Sequence, residues 1–181
     1  MHASFETAPF HAELADGPEG VHALWLKPGA ARIRLAWWKA GKKGTVFLLP
    51  GRTECVEKYG RAAGDLIARG FSVITIDWRG QGLSDRPLPD PRAGHVGDFA
   101  EYQEDLQAML DEAGRARLPK PYYMLAHSMG GAIGLRALMR GLPFAAAVFS
   151  APMWGIAMAP WLRPVAMAAT ALVGPLRIGH H

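Results

Sequence analysis

The segment from Pro121 to Arg140 constrains the fold of this chain more than any other. It starts with a short apolar stretch, which predicts a buried strand ending next to Ser128, and a helix-compatible stretch begins at Ala132. Small residues lie two positions before and two positions after the serine, at Ala126 and Gly130. A strand, a sharp turn and a helix in this order are typical of a nucleophile elbow, in which a strained turn exposes a serine hydroxyl. The sequence therefore predicts such an elbow, with an alanine at the position of the usual first glycine.

The residues after Ser128 lack the partners that an elbow serine needs. These partners are a histidine base and a carboxylate that orients it, and in this fold both follow the serine along the chain. No Asp or Glu follows Ser128, and the only histidines there are His180 and His181, which we interpret as a chain end without a catalytic role. We therefore expect the amino-terminal portion of a serine hydrolase, inactive or nearly so by itself. Two alternatives stay open: Ser128 is an ordinary helix cap, or the chain is a truncated, non-catalytic hydrolase.

Composition and charge exclude several classes of protein. Half of the 181 residues are hydrophobic, which predicts one domain with a substantial core. The chain carries 20 basic and 16 acidic side chains, and the excess comes from four arginines scattered among apolar residues after Ser128. Because these arginines form no basic cluster with aromatic residues, we expect no nucleic-acid partner. The single cysteine, Cys55, excludes an internal disulfide and indicates a reducing compartment.

Two segments bear on targeting. Residues 1–20 lack the basic start and apolar centre of a secretory signal, so we expect a cytoplasmic protein. The uncharged stretch Gly141–Leu162 is long enough to span a bilayer, but prolines and glycines interrupt it. A strand at Ala145–Phe149, buried on both faces and followed by a loop, is the better prediction.

Strand-like and helix-like segments alternate along the chain. A strand hairpin comes first, and strands that alternate with helices follow it, which predicts an α/β fold with a mostly parallel sheet and helices on both faces. An N-capping box at Asp98 and Glu101 begins the second predicted helix. The predicted strands are Val21–Lys27, Ile33–Trp38, Thr45–Leu49, Phe71–Ile76, Pro121–Ala126 and Ala145–Phe149, and the predicted helices are Val56–Arg69, the stretch that begins at Asp98, and Ala132–Arg140.

Three short blocks carry a resemblance to a known superfamily. They are Leu49–Glu54, Asp77–Ser84 and Ala126–Gly131. In order and spacing they resemble blocks of the α/β-hydrolase superfamily, and they are most similar to its lysophospholipase and monoacylglycerol-lipase group, which is often grouped with the serine aminopeptidases of the S33 type. The resemblance implies an α/β-hydrolase fold, incomplete at its carboxyl end, that hydrolyses lipid esters such as lysophospholipids or monoacylglycerols with no cofactor and no metal. A peptidase or amidase of the same superfamily is the alternative.

The resemblance also implies which backbone groups would bind the oxyanion of the tetrahedral intermediate. One donor in this fold is the N–H of the residue after the nucleophile, here Met129. The other lies in the loop after the third strand, and by alignment it is the N–H of Arg52. Gly51 precedes it, and Pro50 stands where relatives usually have histidine.

The remaining parts of the chain are assigned by the same resemblance. Residues 1–20 are an N-terminal extension, residues 21–152 the hydrolase core, and residues 153–181 the start of a lid. The lid implies peripheral contact with the inner face of the membrane, and the apolar edge left by the last strand predicts self-association. The lid residues expected to face acyl chains are Trp154, Met158, Trp161 and Met167.

Two further residues receive structural interpretations. Asp77 and Arg79 are expected to pair or cap within their own loop, where glycines supply the turn dihedrals. His127, next to the serine, is expected to pack near the site and not to act as the base.

Overall fold

The centre of the protein is a mixed sheet. The computed structural model describes residues 6–90, 92–155 and 159–168, and within them six strands lie in the order β1-β2-β4-β3-β5-β6. The pairs β1–β2 and β2–β4 are antiparallel, whereas β4, β3, β5 and β6 run parallel. The predicted hairpin and the predicted parallel strands are therefore confirmed. The strands are β1 (His22–Leu26), β2 (Ile33–Trp38), β3 (Thr45–Leu49), β4 (Ser72–Asp77), β5 (Tyr122–His127) and β6 (Ala146–Ser150).

Helices cover both faces of this sheet. On one face α3 and α4 pack in an apolar cluster that contains Phe47, and on the other face α2 packs in a cluster that contains Leu48. These neighbours lie in different clusters because successive side chains of a strand point to opposite faces. No helix in the described ranges is long and apolar enough to cross a membrane. Four helices are described from end to end, namely α1 (Ala12–Ala15), α2 (Gly60–Ala68), α3 (Tyr102–Arg115) and α4 (Met129–Met139), with 3₁₀ turns at Val56–Tyr59 and Phe99–Glu101. Residues 162–168 are also helical.

The helix boundaries follow the predicted signals with two differences, one of which is that α4 begins at Met129 and not at Ala132. The capping box is present: the Asp98 carboxylate accepts the N–H of Ala100 at 2.7 Å, and the Glu101 carboxylate accepts the N–H of Asp98 at 2.7 Å. It caps a 3₁₀ turn that leads into α3. The single helix predicted over Val56–Arg69 is instead a 3₁₀ turn followed by α2, and Gly70 ends it with a φ of +92°.

The burial predicted for the last strand is wrong. β6 is an edge strand of the described sheet, with β5 as its neighbour, and its alternate residues Ala146, Val148 and Ser150 are exposed. An apolar run has the same sequence signature whether or not another element covers it. The sequence therefore identified the strand but not its environment.

The amino-terminal segment packs on the core. Thr7 forms a bridge with Leu24, the Ala8 N–H donates to the Ala23 carbonyl at 3.0 Å, and the side chain of Ala15 is buried. The domain boundaries predicted at residues 20 and 152 stay predictions.

Two buried arginines form ion pairs with residues that are distant in the sequence. The predicted pairing of Asp77 with Arg79 is wrong. Asp77 instead accepts from Nε of Arg34, its register partner on β2, at 2.8 Å. Arg79 reaches α3, where its Nη2 lies 2.7 Å from the Asp105 carboxylate, and it also pairs with Glu101 in the preceding turn and with Glu104. The predicted cap within the loop is present, because Asp77 also accepts the N–H of Leu83 at 2.8 Å. The ion-pair partners Arg34 and Asp105 are far away in sequence, so a local interpretation of the loop does not identify them.

Candidate active site

Ser128 forms the turn between β5 and α4. Its φ of 49° and ψ of −117° lie in a region that is strained for any residue except glycine. Its N–H donates to the Ser150 carbonyl at 3.1 Å, and its own carbonyl accepts the N–H groups of Gly131 and Met153, each at 2.9 Å. The end of β6 and the start of α4 therefore hold the turn from both sides, which maintains the strained conformation.

Small residues surround this turn because backbone passes close to it. A Cβ atom on Gly130 would lie 2.3 Å from the Leu49 carbonyl oxygen and 2.6 Å from that of Pro50. The crowding thus comes from the end of the neighbouring strand β3 and not from the elbow strand itself. Ala126 is fully buried between its register partners Leu49 and Phe149.

Gly131 is a further position at which only glycine fits. A Cβ atom there would lie 2.7 Å from Cβ of Pro152. The segment after β6 therefore crosses directly over the first turn of α4. The signal in the sequence was the second glycine of the Gly130-Gly131 pair, which the elbow pattern alone does not require.

A half-buried carboxylate shapes the loop after β3. Glu54 accepts the Gly51 N–H at 2.5 Å and the Tyr59 hydroxyl at 2.5 Å, and it also pairs with Lys58. Burial by itself would raise the pKa of Glu54, but these donors outweigh burial and lower the pKa below its usual range. Glu54 is therefore ionised at neutral pH and fixes Gly51, the residue before Arg52. Glu54 lies in the block Leu49–Glu54, but nothing in the sequence around it indicates this role.

The two expected oxyanion donors lie at the same edge of the sheet. Met129 is the first residue of α4, where an N–H has no acceptor within the helix. Arg52 is in the loop after β3, which pairs in parallel with the elbow strand β5. Within the described ranges the Arg52 N–H also has no acceptor.

His127 lies beside the elbow and contacts both neighbouring strand ends. Its Nδ1 is 3.0 Å from the Ser150 carbonyl oxygen, so Nδ1 carries the proton in this hydrogen bond. Its Nε2 is 3.9 Å from the Glu54 carboxylate. His127 therefore bridges the end of β6 and the loop after β3.

The residues expected to face acyl chains lie after β6 and are largely exposed. Trp154 packs edge-to-face on Phe149 with ring centroids 5.5 Å apart, while Trp161 and Met167 project into solvent. Met158, His180 and His181 lie outside the described residues. Among the described residues, no group of three or more His, Cys, Asp or Glu side chains could hold a metal ion.

Comparison with known proteins identifies the family. The sequence profile of the serine aminopeptidase S33 family matches residues 40–180, which is most of the chain. The chain belongs to this family. Among similar proteins, lysophospholipase L2 of Escherichia coli strain K12 is 45% identical over 112 residues, which are 61% of this chain and 33% of that protein. The probable lysophospholipase L2 of Haemophilus influenzae is 32% identical over 134 residues, 71% of this chain and 42% of that protein.

Solved structures show the same fold. A carboxyl esterase from Bacillus coagulans aligns with a TM-score of 0.70 and 18% identity, over 87% of this chain and 52% of the esterase. A monoglyceride lipase from Saccharomyces cerevisiae aligns with a TM-score of 0.64 and 21% identity, over 92% of this chain and 54% of the lipase. The predicted α/β-hydrolase fold is confirmed. The chain spans between a third and a half of the length of the curated relatives described above.

Proposed function

We propose that this S33-family chain carries the nucleophile and the oxyanion site of a serine hydrolase that cleaves acyl esters of lipids. The observation that carries the proposal is the positive φ of Ser128 at the turn between β5 and α4. Proteins retain such strain where the surrounding structure enforces it, and it is concentrated at functional sites. An ordinary helix cap needs no positive φ, because cap residues normally have extended backbone. The strain therefore favours a nucleophile over a cap.

The proposed chemistry uses groups at one edge of the sheet. The Ser128 hydroxyl oxygen attacks the ester carbonyl, and the N–H groups of Met129 and Arg52 stabilise the negative oxygen that forms. One such donor contributes about 2.7–4 kcal/mol to transition-state stabilisation in a well-studied protease. The positive end of the α4 dipole favours the same charge. Glu54 supports this site by fixing the loop that carries Arg52.

The hydroxyl proton needs a base. In this fold a histidine, oriented by a carboxylate, takes the proton, and both residues follow the serine in the chain. The 181 residues contain no carboxylate after Ser128. We therefore expect the 181-residue protein to keep only the residual catalysis that an oxyanion site provides without a base.

Lipid esters are the substrate class that the relatives and the surface favour. The matched relatives are named as lysophospholipases, and one structural neighbour is a monoglyceride lipase. The exposed apolar residues Trp154, Trp161 and Met167 lie after β6, where they can contact acyl chains or a membrane surface. The family description also names aminopeptidases, which would need an acidic anchor for the free amine, and the segment after Ser128 has none.

Active-site labelling tests the nucleophile. The 181-residue protein is incubated with a fluorophosphonate, with and without imidazole as an external base, and its peptides are analysed by mass spectrometry. We expect an adduct on Ser128 that forms faster with imidazole, that Ser128→Ala abolishes, and that Ser150→Ala, a serine at the end of the next strand, retains. An absence of adduct on Ser128 in the presence of imidazole would overturn the proposal.

Turnover tests the missing base and the bond type. We expect Ser128-dependent hydrolysis of p-nitrophenyl butyrate with imidazole, only a small residual rate without it, and no hydrolysis of alanine p-nitroanilide. Efficient Ser128-dependent turnover without imidazole would contradict the expected inactivity. Preferential cleavage of the anilide would favour the peptidase alternative.

A further inference from the structure

A cavity lies at the same edge of the sheet as Ser128. Its volume is about 270 Å³. Thr53 and Glu54 line it from the loop after β3, and Gln81 and Arg86 line it from the loop after β4. A water molecule occupies about 30 Å³ in the liquid, so the cavity can accept a group of several atoms. In α/β sheets, ligands bind outside the carboxyl ends of the parallel strands, where this cavity is found.

The wall of the cavity contains a buried amide with an unused donor. Gln81 is 3% exposed, and its Oε1 accepts the N–H of Thr53. This bond fixes the amide orientation, because the opposite orientation would place two donors face to face. Nε2 of Gln81 then has no hydrogen-bond partner among the described residues. Buried polar groups are normally hydrogen-bonded, so an unused donor at a cavity wall indicates a place for an acceptor.

The same cavity is lined by an arginine whose charge is not neutralised. Arg86 is half-buried, and its two Nη atoms donate to the carbonyls of Gly80 at 2.8 Å and Gly82 at 2.9 Å. No carboxylate of the described residues lies within ion-pair distance of Arg86, because its neighbour Asp85 pairs with Arg32. The two carbonyls hold the guanidinium in place and leave other N–H groups free, which is the arrangement that suits an anionic ligand.

The other charged residues that line the cavity, Glu54 and Arg92, are already paired. The Glu54 carboxylate is satisfied by Gly51, Lys58 and Tyr59. The exposed Arg92 pairs with Asp90. The charge that remains for a ligand is therefore the positive charge of Arg86.

We infer that this cavity binds the phosphate group of a glycerophospholipid headgroup while the acyl ester lies at Ser128. This assignment rests on the proposed function. The cavity lies between the loops after β4 and β3, and β3 is the neighbour of β5, which Ser128 follows. Adjacent strands lie about 4.8 Å apart, so the two sites are separated by about one to two strand spacings along the sheet edge. The glycerol backbone of a lysophospholipid joins its ester to its phosphate over a comparable reach. The inference makes a lysophospholipid a better ligand than an uncharged monoacylglycerol.

Binding of the isolated headgroup tests the inference without requiring catalysis. The 181-residue protein is titrated with sn-glycero-3-phosphocholine and followed by NMR at the side-chain N–H signals of Arg86 and Gln81. We expect both signals to shift until the binding site is saturated with the headgroup, whereas glycerol produces no shift. Arg86→Gln should weaken binding about tenfold or more, because a charge-assisted hydrogen bond is lost. Arg86→Lys should give an intermediate affinity because the charge is kept.

Two further variants test whether a change in headgroup binding is specific to the cavity. Gln81→Glu keeps the acceptor for Thr53 but replaces the free donor with a carboxylate oxygen, so headgroup binding should be abolished. Arg69→Gln makes the same change of charge at an exposed position at the end of α2, just before the start of β4 and so at the opposite edge of the sheet from the cavity. It should leave binding unchanged. Thermal unfolding of each variant shows whether it is folded.

The outcomes separate this inference from the proposed function. Because the cavity does not use Ser128, Ser128→Ala should bind the headgroup like the unmodified protein. A fluorophosphonate adduct on Ser128 without Arg86-dependent headgroup binding would overturn the inference alone. Binding without an adduct would overturn the proposed function and with it the assignment to a substrate headgroup. Inorganic phosphate that binds as tightly as the headgroup would overturn the lipid assignment.

Discussion

At the scale of single residues, Gly130 shows how closely the elbow is packed. An added methyl group would overlap the backbone carbonyls of Leu49 and Pro50, which cannot rotate away as a flexible side chain could. We predict that Gly130→Ala lowers the free energy of unfolding by about 1–3 kcal/mol, as overpacking of a close-packed site does. Urea denaturation measures the change.

Gly114 on α3 provides the matched control for this prediction. A Cβ atom there would have nothing within 4 Å, so Gly114→Ala should raise the free energy of unfolding by up to about 1 kcal/mol through helix propensity. Equal effects of the two substitutions would show that the approach of β3 to Gly130 does not matter.

The sequence predicted the elbow at Ser128 because its determinants are local: a serine and small neighbours in a strand-to-helix turn. The sequence could not assign roles to Glu54 or Gln81. Glu54 receives its donors only once the loop has folded back on itself, and Gln81 meets Thr53 across 28 residues of sequence. Roles that depend on side chains meeting in space leave no periodic pattern in the chain.

At the scale of secondary-structure elements, Arg79 joins the end of β4 to α3. Its guanidinium contacts Asp105, which is fully buried, and two further carboxylates. We predict that Arg79→Met destabilises the protein by about 3–5 kcal/mol, because removing one partner leaves a buried charge unpaired. Chemical denaturation measures the loss.

Arg69→Met is the control at this scale. Arg69 forms an exposed pair with Asp65 one helical turn away, and such pairs contribute at most about 0.5 kcal/mol. A loss at Arg79 that is no larger than the loss at Arg69 would contradict the structural role of the buried pair.

The strands and helices were predictable to within a few residues because apolar periodicity and capping residues are local signals. β1 to β5 follow their predicted ranges closely, and Asp98 and Gly70 mark helix boundaries as expected. The environment of β6 was not predictable. Its composition matches a central strand, but burial depends on neighbouring elements that the strand's own sequence does not specify.

At the scale of the whole molecule, the exposed strand β6 bears on association between copies of the chain. Unpaired backbone groups at a sheet edge can pair with another strand, and apolar side chains there strengthen the pairing. Val148, in the middle of this strand, is 62% exposed. The predicted self-association of the 181-residue protein therefore has a specific surface, defined by β6.

We predict that the unmodified protein forms larger species as its concentration rises, and that Val148→Lys keeps it monomeric, because a lysine on an edge strand disfavours pairing with a second edge. Multi-angle light scattering over a range of concentrations measures both states. Leu14→Lys is the matched control: Leu14 is 71% exposed on α1, away from the sheet edge, so it removes a similar apolar group and adds the same charge. It should leave association unchanged. Equal suppression of association by the two lysine substitutions would indicate that net charge, and not the edge of β6, governs association. Persistent association of the Val148→Lys variant would place the contact elsewhere on the molecule.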